Sequence, residues 1–238
     1  MATEFRYPTG ARPLLIEETA RRRRIESRFV SLLERDGFAE IVLPIIDFAE
    51  PYAGVTERTA ARQSYRFTDR EGELVAIRSD FTPMVARALA PSLDGNLPLR
   101  IFYRGDVVRC EATRLGANRE LFQIGAELIG DSSRVADLDV LRLVCDIASA
   151  FCATPLVVYT DPELAPQLDG DARFVLYADS HEESASYYTG LRFWVYGTDR
   201  RKPIAQGGRY DTLYQRFGAD TAAIGFTFTV DSLEMREA

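Results

Sequence analysis

The sequence predicts an α+β protein built on a mostly antiparallel sheet flanked by helices. Three observations carry that expectation. Leu99–Val108 is rich in β-branched and aromatic residues, which suit a pleated surface. Arg119–Ile129 alternates, with Leu121, Gln123, Gly125 and Glu127 on one side and Phe122, Ile124, Ala126 and Leu128 on the other, the period-2 signature of a strand. Two long segments, Glu17–Asp36 and Ser133–Ala153, space their apolar residues as amphipathic helices do.

Taken in order, residues 1–13 hold Pro8, Gly10 and Pro13 and read as a loop entry. The helix Glu17–Asp36 buries Ile25, Phe29, Leu32 and Leu33, and Gly37 ends it. Its Arg21–Arg24 run is expected to be a solvated face pairing with Glu17, Glu18 and Glu26, rather than a contact for a partner or nucleic acid. Phe38–Phe48 reads as one strand containing Pro44. Proline donates no ladder hydrogen bond, so this strand belongs at an edge and is a candidate interface. Residues 50–64 read as loop, and Tyr65–Asp69 and Leu74–Arg78 as a hairpin around Gly72. Asp80 is placed to cap a helix running through Ala90, with Pro83 in its first turn; the same carboxylate equally suits a ligand's ammonium. Ser132 or Ser133 caps the helix to Ala153. Short strands follow at Leu156–Tyr159, Arg173–Tyr177 and Leu191–Tyr196. Gly207 and Gly208 read as opening a helix, and the last segment as a strand leading into a short helix.

The chain of 238 residues is long enough for one large domain with a substantial core. Its net charge of −7 argues against non-specific nucleic-acid binding, which needs a basic face. Cys110, Cys145 and Cys152 have no metal-site spacing and a single histidine, His181, to join them, so they read as reduced cytoplasmic thiols, with no metal and no cofactor expected. No apolar run approaches membrane-spanning length.

The polar side of Arg119–Ile129 sets an amide, a glycine gap and an acid in a row. Arg104 lies on the neighbouring strand, and Arg109, Arg114 and Arg119 lie in or beside the connecting loop. An antiparallel sheet often leaves such a face to solvent, but this combination also suits the floor of a pocket for a small zwitterion or a phosphate.

Six segments, taken together and in order, resemble the catalytic core of the class II aminoacyl-tRNA synthetases, in their histidyl branch. YPTGARPLL with the first long helix and Pro44 is similar to motif 1, a dimer interface. FYRGDVVR with NRELFQIGAE is similar to motif 2, and AAIGFTFTVDSL to motif 3. IRSDFTPMVAR, SYYTG and GGRYD are similar to that branch's own signatures. The resemblance implies a histidine site at Asp80, Thr82, Gln123, Glu127, Tyr187 and Tyr188, with Arg104 as the motif 2 arginine and Arg119 as a later one, both suited to an anion or carboxylate. It also shows two departures. The motif 3 arginine is replaced by Ser232, and the arginine expected ahead of SYYTG by Glu183. Adenylation needs cations around the polyphosphate, and one lost donor typically costs ~3 kcal/mol of transition-state stabilisation.

A histidine pocket without that chemistry resembles the regulatory subunits of ATP phosphoribosyltransferase, to whose wording IRSDFTPMVAR is also closer. The resemblance then implies a single synthetase-like core over 1–238 with no anticodon-binding domain, and the sequence departs from it in the short segment between the Ser133 helix and Tyr187, where the insertion domain is expected to be reduced or absent. It implies no catalytic residues, self-association as a dimer, a short-form catalytic subunit as partner, and neither tRNA nor membrane contact. The implied role is activation of that catalytic subunit in the first step of histidine biosynthesis, with feedback by histidine. The alternatives are a tRNA-independent aminoacyl ligase on the same fold and a free-standing histidine sensor.

Overall fold

The first helix, α1 (Ile16–Arg35), turns Ile25, Phe29 and Leu33 onto a sheet, and ends where Gly37 takes a left-handed φ of 81°. A computed structural model describes residues 7–53, 64–93, 95, 97–110, 118–177 and 187–233. Its helices are α1, α2 (Thr82–Leu89), α3 (Arg134–Phe151) and the short α4 (Ala165–Leu168). The strands are β1 (Ala39–Glu40), β2 (Ile46–Phe48), β3 (Arg66–Thr68), β4 (Leu74–Ile77), β5 (Leu99–Val108), β6 (Glu120–Ile129), β7 (Leu156–Tyr159), β8 (Phe174–Leu176), β9 (Arg192–Tyr196), β10 (Pro203–Arg209) and β11 (Ala223–Thr229).

Eight strands form one sheet in the order β1-β5-β6-β11-β10-β9-β7-β8, and β2-β4-β3 form a second. The large sheet is antiparallel except at its ends, where β1 runs parallel to β5 and β7 parallel to β8. This is the class II synthetase-like architecture that the sequence predicts. One face of the sheet packs Phe102, Ile124, Ala126, Phe226 and Phe228 against α1 and α3. The other face carries Tyr103, Ile101 and Val107 under α2 and the tyrosines Tyr187, Tyr210 and Tyr214. Neither face of β6 is left to solvent, since every residue from Phe122 to Leu128 is buried.

Several expectations change. Phe38–Phe48 is not one strand: β1 joins the large sheet and β2 the small one, with Pro44 in the break. The missing proline N–H ends the ladder there, and the Arg78 guanidinium binds the freed Leu43 carbonyl at 2.9 Å. Gly207 and Gly208 lie inside β10 rather than at a helix start, because β9 and β11 flank them closely and leave no room for a helical turn. Phe81 holds the N-cap position of α2, and Asp80, one residue earlier, still accepts the Thr82 N–H at 3.2 Å. Ser133 caps α3 as expected, accepting from the Ala136 N–H.

The arginine run of α1 is partly a tether rather than a solvated face. Arg21 donates to the Leu233 carbonyl at 2.8 Å, and Arg22 pairs with Asp231 at 2.6 Å and lies over the Phe122 ring. Arg23 pairs with Glu26. No helix among the described residues is long and apolar enough to cross a membrane. The three cysteines are unpaired, and burial raises the Cys145 thiol to about 11, which keeps it protonated and inert.

Candidate functional site

Two rows of residues cross the middle of the large sheet on its α2 side. In one, Glu127 of β6 is the register partner of Gly225 on β11, which in turn pairs with Gly208 on β10. In the other, Tyr103 of β5 pairs with Gly125, Gly125 with Thr227, and Thr227 with Gln206. Each glycine leaves a hollow that a neighbour fills. A Cβ on Gly125 would overlap the Tyr103 phenol, one on Gly225 the Glu127 carboxylate, and one on Gly208 the Tyr188 ring at 2.9 Å.

Above these rows is a small cleft whose empty space, its open mouth included, is about 370 Å³. Asp80, Thr82, Gln123, Tyr187 and Tyr188 line it, together with Arg109, Gln206, Tyr210 and Thr227. Asp80 closes one side, accepting from the Tyr187 hydroxyl at 3.1 Å. Tyr187 and Tyr188 pack at 5.0 Å between ring centres, and Tyr210 meets Tyr187 edge-on at 5.9 Å. Burial raises all three phenols well above their ordinary values, so they stay neutral donors.

Glu127 lies under this cavity and is not part of its lining. One carboxylate oxygen accepts from the Tyr103 hydroxyl and the Thr82 hydroxyl, each at 3.0 Å, and the other from the Tyr210 hydroxyl. Desolvation pushes its carboxyl up to about 8, against the pull of the three hydroxyls.

The structure therefore brings together Asp80, Thr82, Gln123, Tyr187 and Tyr188, with Glu127 directly behind them. It does not bring Arg104 there. Arg104 is the register partner of Ile124, which puts it on the α1 face, where it binds Glu26 and Glu40 at 2.7 Å each. The basic group at the cavity is Arg109, just past the end of β5, where its Nε donates to the Ser79 carbonyl. Arg119 binds the Tyr65 hydroxyl at 2.8 Å and is not in the cavity lining. Ser232 sits exposed in a 3-10 turn after β11, beside the Arg22–Asp231 pair. Glu183, Arg114 and His181 fall outside the described residues.

Tyr103, Tyr210 and Thr227 are site residues that the sequence reading passed over, and Arg109, named there only as one of the arginines beside the loop, is the one that lines the cavity. Residue parity along β5 identifies Arg109 once the register with β6 is known. Arg109 has the same odd parity as Tyr103, which lies over Gly125 and so faces Gln123 and Glu127. In the GGRYD segment, Arg209 turns away from the cavity. It is buried against Asp137 of α3, with its Nε at 2.8 Å, and also donates to the Asp131 carbonyl at 3.0 Å.

The fold is that of a class II aminoacyl-tRNA synthetase core, of the histidyl type. A family model described as Histidyl-tRNA synthetase matches residues 10–174 and 175–233, and the chain belongs to that family. Its relatives carry two kinds of name. An ATP phosphoribosyltransferase regulatory subunit of Symbiobacterium thermophilum is 28% identical over 321 residues, spanning 99% of this chain and 80% of the relative. A histidine–tRNA ligase of Methanocaldococcus jannaschii is 26% identical over 318 residues, spanning 99% of this chain and 76% of the relative. Among solved structures, an ATP phosphoribosyltransferase regulatory subunit/histidyl-tRNA synthetase from Bacillus halodurans superposes with a TM-score of 0.81 at 21% identity, covering 97% of this chain and 82% of that one.

Proposed function

We propose that this chain is a non-catalytic regulatory subunit of an ATP phosphoribosyltransferase, and that its cavity takes free histidine. The observation that carries this reading is a contrast. The acid, amide and phenol groups suited to an ammonium and an imidazole surround one cavity, whereas Ser232 stands where the resemblance calls for an adenylating arginine. A site that keeps ligand contacts and lacks that cation suits binding more than turnover. Asp80, Thr82, Gln123, Tyr187 and Tyr188 would hold the ligand, and Arg109, the one basic side chain among the described lining residues, would meet its carboxylate.

In this reading the partner is a short-form catalytic subunit, which the chain activates and through which histidine acts by feedback. Histidine regulates only if it binds two states of that assembly unequally. Self-association as a dimer is part of the same reading. Leu15, Ile16, Val42 and Ile45 stand exposed near the start of α1 and around Pro44, the apolar surface that such an interface needs.

The test mixes the purified chain with the catalytic subunit and follows phosphoribosyl transfer while histidine is titrated. A higher rate with the chain present, reduced by histidine, supports the reading; an unchanged rate rejects it. Histidine binding with an unchanged rate indicates a free-standing sensor. Arg109 in the cavity favours one other reading, adenylation by an aminoacyl ligase. Histidine-dependent exchange of pyrophosphate into ATP, abolished in Arg109→Ala, would establish it in place of the regulatory role.

A further inference from the structure

We propose that Tyr103, Thr227 and Tyr210 are positioning residues that make ligand capture at this site a proton-releasing event, by governing whether Glu127 holds a proton. The proposal rests on the histidine-binding reading and adds how that binding is regulated.

The geometry is that of a buried acid with hydroxyl partners and no counter-ion. Glu127 is 1% exposed, and among the described residues no basic side chain pairs with it. Its neighbours on each packed element are neutral donors or another acid. Tyr103 comes from β5, Thr82 from α2, Tyr210 from the segment after β10 and Gly225 from β11, with Asp80 nearby adding repulsion. A lone buried carboxylate is costly, and such a group relieves the cost by taking a proton. The Tyr103 hydroxyl lies 3.0 Å from both Glu127 and Thr227, so it has two acceptors within reach. It can donate to the ionised acid, or turn to Thr227 and accept from the protonated one. Two hydrogen-bond arrangements of one shell are therefore available, and each leaves every hydroxyl of that pair partnered.

A cation entering the cavity selects between them. The ammonium of an amino acid supplies the missing charge beside the shell. Glu127 then ionises, Tyr103, Thr82 and Tyr210 all donate to it, and one proton leaves to solvent. The overall exchange is protonated site plus zwitterionic amino acid giving ionised site with bound amino acid plus H⁺, the ammonium end lying beside Glu127. Affinity for the ligand accordingly rises with pH, by up to tenfold per pH unit below the free site's titration point. Acidification would weaken histidine's hold without any change in the residues that touch it.

The test is carried out on the full chain. Infrared spectra at pH 7 read the carbonyl band of a protonated carboxyl as the difference between the chain and Glu127→Gln. The band should be present without ligand and should disappear on adding histidine. Calorimetry at pH 7 in buffers of different ionisation enthalpy should show about one proton released per histidine bound, and none in Glu127→Gln. Tyr103→Phe, which keeps the ring over Gly125 and removes one donor to the ionised acid, should move the band's titration to higher pH. If the ligand-free chain shows no band at pH 7, the proposal is overturned whether or not histidine binds. A band that survives saturation with histidine overturns the coupling and leaves the functional reading standing. A chain that shows the band and binds no histidine fails the functional reading and the coupling together.

Discussion

Glu127 lies in the space that Gly225 leaves empty: the two are register partners on β6 and β11, and a Cβ on Gly225 would overlap the carboxylate. The acid can be buried under the cavity only because the adjacent strand has no side chain there. Gly225→Ala should therefore displace Glu127 from its three hydroxyl partners. We expect a loss of about 1–3 kcal/mol in stability, the usual range for overpacking a filled core, together with loss of histidine binding. Urea denaturation and calorimetry read the two effects separately.

Stability should depend on pH through Glu127 in a direction opposite to that of most carboxylates. Burial raises the Glu127 carboxyl to about 8 in the folded chain, well above the ordinary glutamate range. Across that window the folded state binds more protons than the unfolded one, so stability falls as pH rises through it. Glu127→Gln lacks the effect. The difference in melting temperature between the chain and Glu127→Gln should move in favour of the variant from pH 5 to pH 9; a constant difference would contradict the assignment.

Arg104 and Arg109 should separate cleanly. Arg104→Ala removes a partner of buried Glu26 and of Glu40. It should cost about 1–2 kcal/mol, between the values typical of exposed and buried ion pairs, and leave histidine affinity within about twofold, a change worth ~0.4 kcal/mol. Arg109→Ala should do the reverse, lowering affinity at least tenfold (about 1.4 kcal/mol) with little change in the denaturation midpoint.

Arg209 should behave as a structural residue despite its place in a ligand-site signature. Its guanidinium and the Asp137 carboxylate are both buried, and burial keeps the Asp137 carboxyl above its ordinary value. Arg209→Met leaves that buried acid with only the half-exposed Arg134, at 3.4 Å, and should cost about 3 kcal/mol, the low end for breaking a buried pair. Arg209→Met combined with Asp137→Leu should recover much of the loss, as a urea midpoint would show.

What could be read from the sequence follows from what local pattern encodes. Alternation placed β6 within a residue of its observed start, and Gly37 and Ser133 marked helix ends correctly because caps are local chemistry. Asp80 and Thr82 come from one segment and Tyr187 and Tyr188 from another, so their convergence rested on resemblance; no spacing in the chain encodes it. Arg104 was misplaced for a related reason. Strand pairing fixes which residues share a face, and the register of β5 against β6 depends on the intervening loop rather than on either strand alone. Tyr103 and Tyr210 were passed over because a tyrosine in a strand-rich segment looks the same whether it fills a core or anchors an acid. The split at Pro44 needed two sheets to be known, and sequence indicated only that the ladder must falter there.

The hollows at Gly125, Gly208 and Gly225 have a consequence for how this chain can change over time. The floor of the site is a mould set by missing atoms: an added methyl meets the Tyr103 phenol at Gly125, the Glu127 carboxylate at Gly225, and the Leu191 carbonyl and Tyr188 ring at Gly208. The rim is different: Asp80, Gln123 and Arg109 stand on separate segments and can be exchanged one at a time. Descendants of this chain can thus acquire new ligands by altering the rim while inheriting the same bowl, and a lineage that fills the bowl gives up small-molecule binding altogether while keeping the fold.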